Sequence, residues 1–232
     1  MKSKNYKAVV FDLFGTLVST FSSSMHDIVL ENMAKMLDVP NDAFAKLFDY
    51  DMRAAREMGD FASIEENIKI ACKQLGVNPG TTTIEKAAIY RFDFMENALA
   101  PRKDAIQTMV QIRSKGHKIG LISDCSPEVP VLWSASPFAK IVDVPIFSCE
   151  VGIKKPDQGI YNLLCDRLGV KPTECLYVGD GDSFELEGAL EAGMDPVLIR
   201  VEGEDTYDRD RPLAANWKGK KISVISDIMQ FV

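Results

Sequence analysis

The sequence predicts an α/β protein, a doubly wound parallel sheet with an inserted, all-helical segment. Three observations lead there. Short unbroken apolar runs recur at 8–11, 118–122, 175–178 and 197–199, and such runs read as strands buried on both faces of a parallel sheet. From residue 101 onward, stretches with helical spacing alternate with the runs, as successive βα units require. The interval from about 20 to 100 contains no strand-like run and reads as helix throughout.

Taken in order, the first strand is 8–11 (Ala-Val-Val-Phe), stopped by Asp12. Four helices follow. The first presents Ile28, Met33 and Met36, and the second starts at Asn41 and Asp42 and presents Phe44, Leu47 and Phe48. The third opens on Ser63 with Glu66 as a capping box and closes at Gly76. The fourth, 83–98, presents Ile84, Ile89 and Phe92. These apolar faces are expected to pack on one another rather than to hold a cofactor. Next come a helix at 103–115 with Ile106, Met109 and Val110, stopped by Gly116, and the strand 118–122. A helix at 157–168 with Ile160, Leu163 and Leu164 stops at Gly169, and it precedes the strand 175–178. A helix near 183–192 ends before Gly193 and leads to the strand 197–199. Residues 202–221 are polar and turn-rich, an exposed excursion before a last short strand near 222–225. The expected division is therefore 1–19 with 100–232 for the sheet domain and 20–99 for the helical one.

Composition narrows the function. The 232 residues include 27 Lys plus Arg against 34 Asp plus Glu, a net charge of −7. That balance argues against a nucleic-acid or anionic-membrane surface as the main business of the molecule. No apolar run approaches the ~20 residues of a spanning helix, and no secretory cleavage pattern is visible, so a cytoplasmic protein is expected. The five cysteines are odd in number with no Cys-x-x-Cys pair, which points to reduced thiols. With His26 and His117 as the only histidines, imidazole-based metal sites and Ser-His-Asp triads are poorly supplied. Carboxylates are left to carry catalysis.

In open α/β sheets ligands bind outside the carboxyl ends of the strands. Those ends deliver Asp12, then Ser123 and Asp124, then Gly179, Asp180, Gly181 and Asp182. Carboxylates gathered so closely repel unless a cation joins them, and oxygen-only ligands suit magnesium. Lys154 and Lys155 offer positive charge for an anionic substrate.

On these residues the sequence resembles the haloacid dehalogenase (HAD) superfamily of hydrolases, whose core is Rossmann-like. The stretch from Val10 to Leu17 (Val-Phe-Asp-Leu-Phe-Gly-Thr-Leu) resembles its first motif, and Leu121-Ile122-Ser123 its second. Lys155-Pro156-Asp157 resembles the third, and Val178-Gly179-Asp180 with Gly188-Ala189 and Ala192-Gly193-Met194 the fourth. Order and spacing span residues 8 to about 200, and the helical insert lies where one cap class of the family belongs. The resemblance implies that Asp12 is a nucleophile forming an aspartyl intermediate, and that Asp180 and the Phe14 carbonyl join it in holding magnesium. It implies that Ser123 and Asp124, with Phe14, Gly15 and Thr16, receive the phosphoryl group of a small phosphorylated substrate, and that Lys155 steadies nucleophile and developing charge. Oligomeric state is left open.

Two positions depart from the phosphatase pattern. The place two residues after the nucleophile, where phosphatases of the family carry an acid/base Asp, is Phe14, and a phenyl ring moves no proton. In the name-giving dehalogenases that position resembles an aromatic, and Ser123-Asp124-Cys125-Ser126-Pro127 is similar to their second motif. Those enzymes work without metal and lack the fourth-motif acids, whereas this chain keeps Asp180. A metal-independent dehalogenase and a non-catalytic ligand- or protein-binding member therefore stand beside the phosphatase. The second departure is Glu185, where the family more often has Asp; it reads either as a supporting metal ligand or as a capping box with Asp182. Lys154 is expected to be solvated, and Cys125, lacking the Arg that a cysteine phosphatase loop needs at 131, to be an inert thiol.

Overall fold

A computed structural model describes residues 5–20, 23–204, 214 and 216–232. Its elements are β1 (Ala8–Phe11), α1 (Ser23–Leu37), α2 (Asn41–Ala45) running through a π turn at Lys46–Asp51 toward α3 (Arg53–Glu57), α4 (Ile64–Gln74) and α5 (Thr81–Ala98). Then come α6 (Ala105–Ser114), β2 (Lys118–Ser123), α7 (Glu128–Trp133), β3 (Val144–Phe147), α8 (Ser148–Val151), α9 (Gln158–Leu168), β4 (Cys175–Gly179), α10 (Glu185–Glu191), β5 (Asp195–Ile199) and β6 (Lys220–Ile222). All six strands are parallel in the order β3-β2-β1-β4-β5-β6. The chain reverses its winding between β1 and β4, which sets a crevice at their carboxyl ends.

Alternation along β1 builds two cores at once. Val9 and Phe11 join Leu121, Val178, Met109 and Ile112 on one face, while Ala8 and Val10 join Ile122, Tyr177, Ile160 and Leu164 on the other. Both faces are covered by helices, as parallel sheets require. A third core lies among α1–α5, around Met33, Phe44, Phe48, Ile68 and Ala87.

Several expectations shift in detail. Ile28, Met36 and Ile89 are exposed, and the buried stripes run instead through Val29, Leu30, Met33 and Leu37 and through Ile84, Ala87, Ala88, Arg91 and Met95. Met33, Phe44, Phe48 and Ile84 are buried as expected, while Ile28, Met36 and Ile89 each stand one position from a buried stripe, a turn of about 100° that carries a side chain off the inner face. Ser63 caps α4 as expected, its Oγ accepting from the Glu66 N–H at 3.3 Å, although the Glu66 carboxylate reaches back to the Ala62 N–H (2.7 Å). The strand β3 has no counterpart in the sequence reading because Pro145 breaks its pattern; as an edge strand bonded only to β2 it tolerates a missing donor. The last strand is Lys220–Ile222, and Ile225–Gln230 forms a 3-10 turn instead. Of the polar excursion, 205–213 and 215 lie outside the described residues. No helix among the described residues is long and apolar enough to cross a membrane.

Candidate active site

The β1–β4 ladder continues one residue past β1, because the Asp12 N–H donates to the Val178 carbonyl at 2.9 Å. That bond brings Asp12 to the rim. Beyond it the chain coils on the Leu13 carbonyl, which accepts from the N–H groups of Leu17 (2.9 Å) and Val18 (3.0 Å), while Leu13 and Leu17 are buried as anchors. Gly15 has φ +81°, and a Cβ there would stand 1.8 Å from Asp180 Oδ2. Only glycine lets the two strand ends approach this closely. Arg102, unnoticed in the sequence, clamps the same loop: Nε donates to the Thr16 carbonyl (2.7 Å) and Nη2 to the Gly15 carbonyl (2.9 Å), with Glu204 neutralising it.

Lys155 ties three strand ends together. Its Nζ donates to Asp12 Oδ1 at 2.6 Å and to Glu185 Oε2 at 2.7 Å, and its own N–H is received by Asp124 Oδ1 at 3.1 Å. Glu185, fully buried, also accepts from the Tyr177 hydroxyl (2.8 Å) and the Gly181 N–H (2.8 Å). It fits only because Gly179 has no side chain, since a Cβ there would meet Oε1 at 2.2 Å. The capping-box reading of Asp182 with Glu185 does not hold. Ser183 and Phe184 take left-handed φ values of 53° and 54°, so α10 begins at Glu185 and the carboxylate turns inward.

Charge at this edge is unbalanced. Burial and the neighbouring Glu185 push the Asp12 carboxyl well above the usual range against the pull of Lys155, and Asp180 adds to the push. Burial works against a charged Lys155, but Asp12 and Glu185 prevail and hold it well above an ordinary lysine. Asp12, Asp180 and Glu185 each bring an oxygen within 4.8 Å of the others, and Asp12 Oδ2 is buried with no protein partner. An oxygen-only donor set with an orphaned carboxylate oxygen fits a hard divalent cation such as magnesium.

Asp12, Phe14, Asp124 and Lys155 face helices α3 and α5 across a cavity enclosing about 950 Å³, the open solvent at its mouth included. Arg53, Arg56 and Arg91 line the opposite side together with His26. Phe14 also packs against the core beneath. Ser123 is fully buried, its hydroxyl without a protein partner, and so is Thr16 Oγ1. Burial raises Asp124 to about 6. Lys154 is not a freely solvated lysine: it pairs with Glu57 of α3. Cys125 fits an inert thiol, since burial pushes it well above the usual thiol range. The three arginines escaped the sequence reading, yet a signal existed. Arg91 falls on the stripe Ile84, Ala87, Ala88, Met95, and a charge inside an apolar stripe marks a position with a task.

A model of the haloacid dehalogenase-like hydrolase family matches residues 6–193. The chain is 26% identical over 209 residues to a glyceraldehyde 3-phosphate phosphatase of Methanopyrus kandleri, covering 84% of each protein. It is 25% identical over 216 residues to (S)-2-haloacid dehalogenase 4A of Burkholderia cepacia, covering 89% of this chain and 88% of that one. A HAD phosphatase from Thermococcus onnurineus superposes with a TM-score of 0.67 at 22% identity, over 97% of this chain and 96% of the other, a likeness of fold.

Proposed function

The chain belongs to the haloacid dehalogenase-like hydrolase family, and from that premise we propose that it is a magnesium-dependent phosphatase of small phosphorylated compounds, acting through Asp12. The observation that carries the reading is the buried Asp12, with Lys155 on one oxygen and no protein partner on the other. Its relatives include phosphatases of glyceraldehyde 3-phosphate and, in Halopiger xanaduensis, of ribulose-1,5-bisphosphate.

Asp12 attacks phosphorus in line with the ester oxygen, and the P–O ester bond breaks with its electron pair on the leaving oxygen, which takes a proton from solvent water to become the free alcohol. Water then attacks phosphorus, gives its proton to solvent, and releases inorganic phosphate and free Asp12. Lys155 aims Asp12 and pulls its carboxyl down against the push of burial and Glu185, and the Ser123 hydroxyl donates to a phosphoryl oxygen. Gly15, Thr16 and Asp124 shape the loops around that group. Magnesium held by Asp12, Asp180 and the Phe14 carbonyl, with Glu185 as the supporting acid, supplies charge neutralisation for the phosphoryl oxygens. Residues 20–99 act as a lid on the unit formed by 1–19 and 100–232, excluding water from the cavity. The free thiols accord with a cytoplasmic setting.

Phe14 leaves the departing alcohol without a protein acid, which costs ~10²- to 10⁴-fold on an alkyl ester. Substrates with good leaving groups are therefore favoured. Magnesium should raise the melting temperature, and phosphate release from acetyl phosphate or an aryl phosphate should vanish in Asp12→Asn; no release by the wild type in magnesium overturns the reading. Phe14→Asp should raise turnover of alkyl monoesters by ~10²-fold, measured as phosphate release. The same phenylalanine favours a second reading, a metal-independent dehalogenase in which Asp12 attacks carbon and halide leaves. Chloride release from 2-chloropropionate in a chelator would select it.

A further inference from the structure

We propose that Arg56 and Arg91 form a second anion site across the cavity from Asp12, so that the substrate is a diacid: a phosphate at one end and a carboxylate or second phosphate at the other. The inference rests on the phosphatase reading above and specifies its substrate class.

Both guanidinium groups come from the helical segment, line the cavity that Asp12 and Lys155 also line, and are buried, each with 3% of its surface exposed. Neither is fully satisfied. Arg56 donates through Nη1 to the Phe48 carbonyl (2.7 Å) and to Asn67 Oδ1 (3.0 Å), both neutral acceptors, and its Nε has no partner. No carboxylate among the described residues pairs with it. Arg91 Nε meets Glu128 Oε1 at 3.0 Å, and its Nη1 is a second buried donor without a partner.

Nearby acids do not cancel this charge, because they are engaged elsewhere. Glu57 is held by Arg53 and Lys154, and Asp49 faces His26 at 3.5 Å. Among the charged residues that the helical segment contributes to the cavity wall, three arginines, Arg53, Arg56 and Arg91, stand against two carboxylates, Asp49 and Glu57. His26 adds no charge near neutrality: burial and the repulsion of Arg91 lower it to about 4. Burial and the same Arg91 also lower Arg56, to about 10. A buried positive charge lacking a counterion costs free energy unless an anion arrives. Two arginines that line one cavity and keep buried donors without a protein partner match the planar acceptors of carboxylate or phosphate. Asp49, Arg53 and Glu57 border the same space, so the site takes an anion small enough to reach two arginines without displacing those pairs.

The test compares three ligands with magnesium-loaded protein by calorimetry: ethylphosphonate, 3-phosphonopropionate and 1,2-ethylenediphosphonate. Wild type should bind at least one diacid ~30-fold more tightly than ethylphosphonate, the scale of one or two charge-assisted hydrogen bonds. Which diacid wins tells carboxylate from second phosphate. Arg56→Gln should reduce the preference to about threefold or less, and Arg56→Lys, which restores the charge, should recover much of it. Equal binding of all three by wild type overturns the proposal, as does full preference in a folded Arg56→Gln. The wild-type comparison decides even where that variant fails to fold. Aryl phosphate turnover is measured in parallel: turnover without ligand preference removes the second anion site alone, while preference without turnover supports the site and removes the phosphatase reading.

Discussion

The two sides of the cavity are built on opposite principles. On the sheet side, acids exceed bases, and each is fixed by rigid neighbours: strand ends, backbone N–H groups, Tyr177 and a lysine that touches two carboxylates at once. On the helical side, bases exceed acids, and two arginines retain open donors. A surplus of carboxylate needs a cation before it can use an anionic substrate, whereas a surplus of guanidinium attracts the anion directly. The contrast separates chemistry from selection. Substitutions on the sheet side should therefore fall mainly on kcat, and those on the helical side on substrate preference.

The largest expected effect breaks the sheet side. Lys155→Met removes the cation between Asp12 and Glu185, and kcat for an aryl phosphate should fall by ~10³-fold, the scale for removing one preorganised charge from a reacting centre. A loss confined to KM would mean that Lys155 merely attracts substrate. Arg102→Ala sharpens the same point one layer back. It frees the Gly15 and Thr16 carbonyls and should cost about 2 kcal/mol, or roughly 4–8 °C in Tm, together with a fall in kcat. A Tm loss with unchanged kcat would make Arg102 structural only. The helical side is tested through pH. His26 sits near 4 when folded against 6.5 unfolded, so as pH falls through that window the unfolded chain takes the proton first. The stability that neutral His26 contributes is present above about 6.5 and lost toward 4. Denaturation of wild type against His26→Gln should show that difference shrinking by up to about 3 kcal/mol across the window, whereas a constant difference would contradict the buried neutral imidazole.

The same division governs what could be read without coordinates. The sheet side was legible because strand ends are sequence-local: a buried run ends, and the next residue faces the rim, so Asp12, Ser123 and Asp180 followed from runs alone. Lys155 needed the motif, because nothing local distinguishes it from Lys154. Glu185 was ambiguous for a physical reason. Its spacing from Asp182 mimics a helix cap, and only the left-handed Ser183 and Phe184 send it inward. The helical side was nearly silent. The offset that misplaced Ile89 on the inner face also hid Arg91, and Arg56 lies in a short helix after a π turn that shifts the period. Arg102 follows Pro101 in a connection with no periodicity at all.

The central claim is that Asp12 accepts a phosphoryl group. Protein mixed with acetyl phosphate and magnesium, quenched in acid within one turnover and examined by peptide mass spectrometry, should carry a phosphoryl group on Asp12 and on no other residue. Phosphate release with Asp12 unmodified at every quench time would contradict the account.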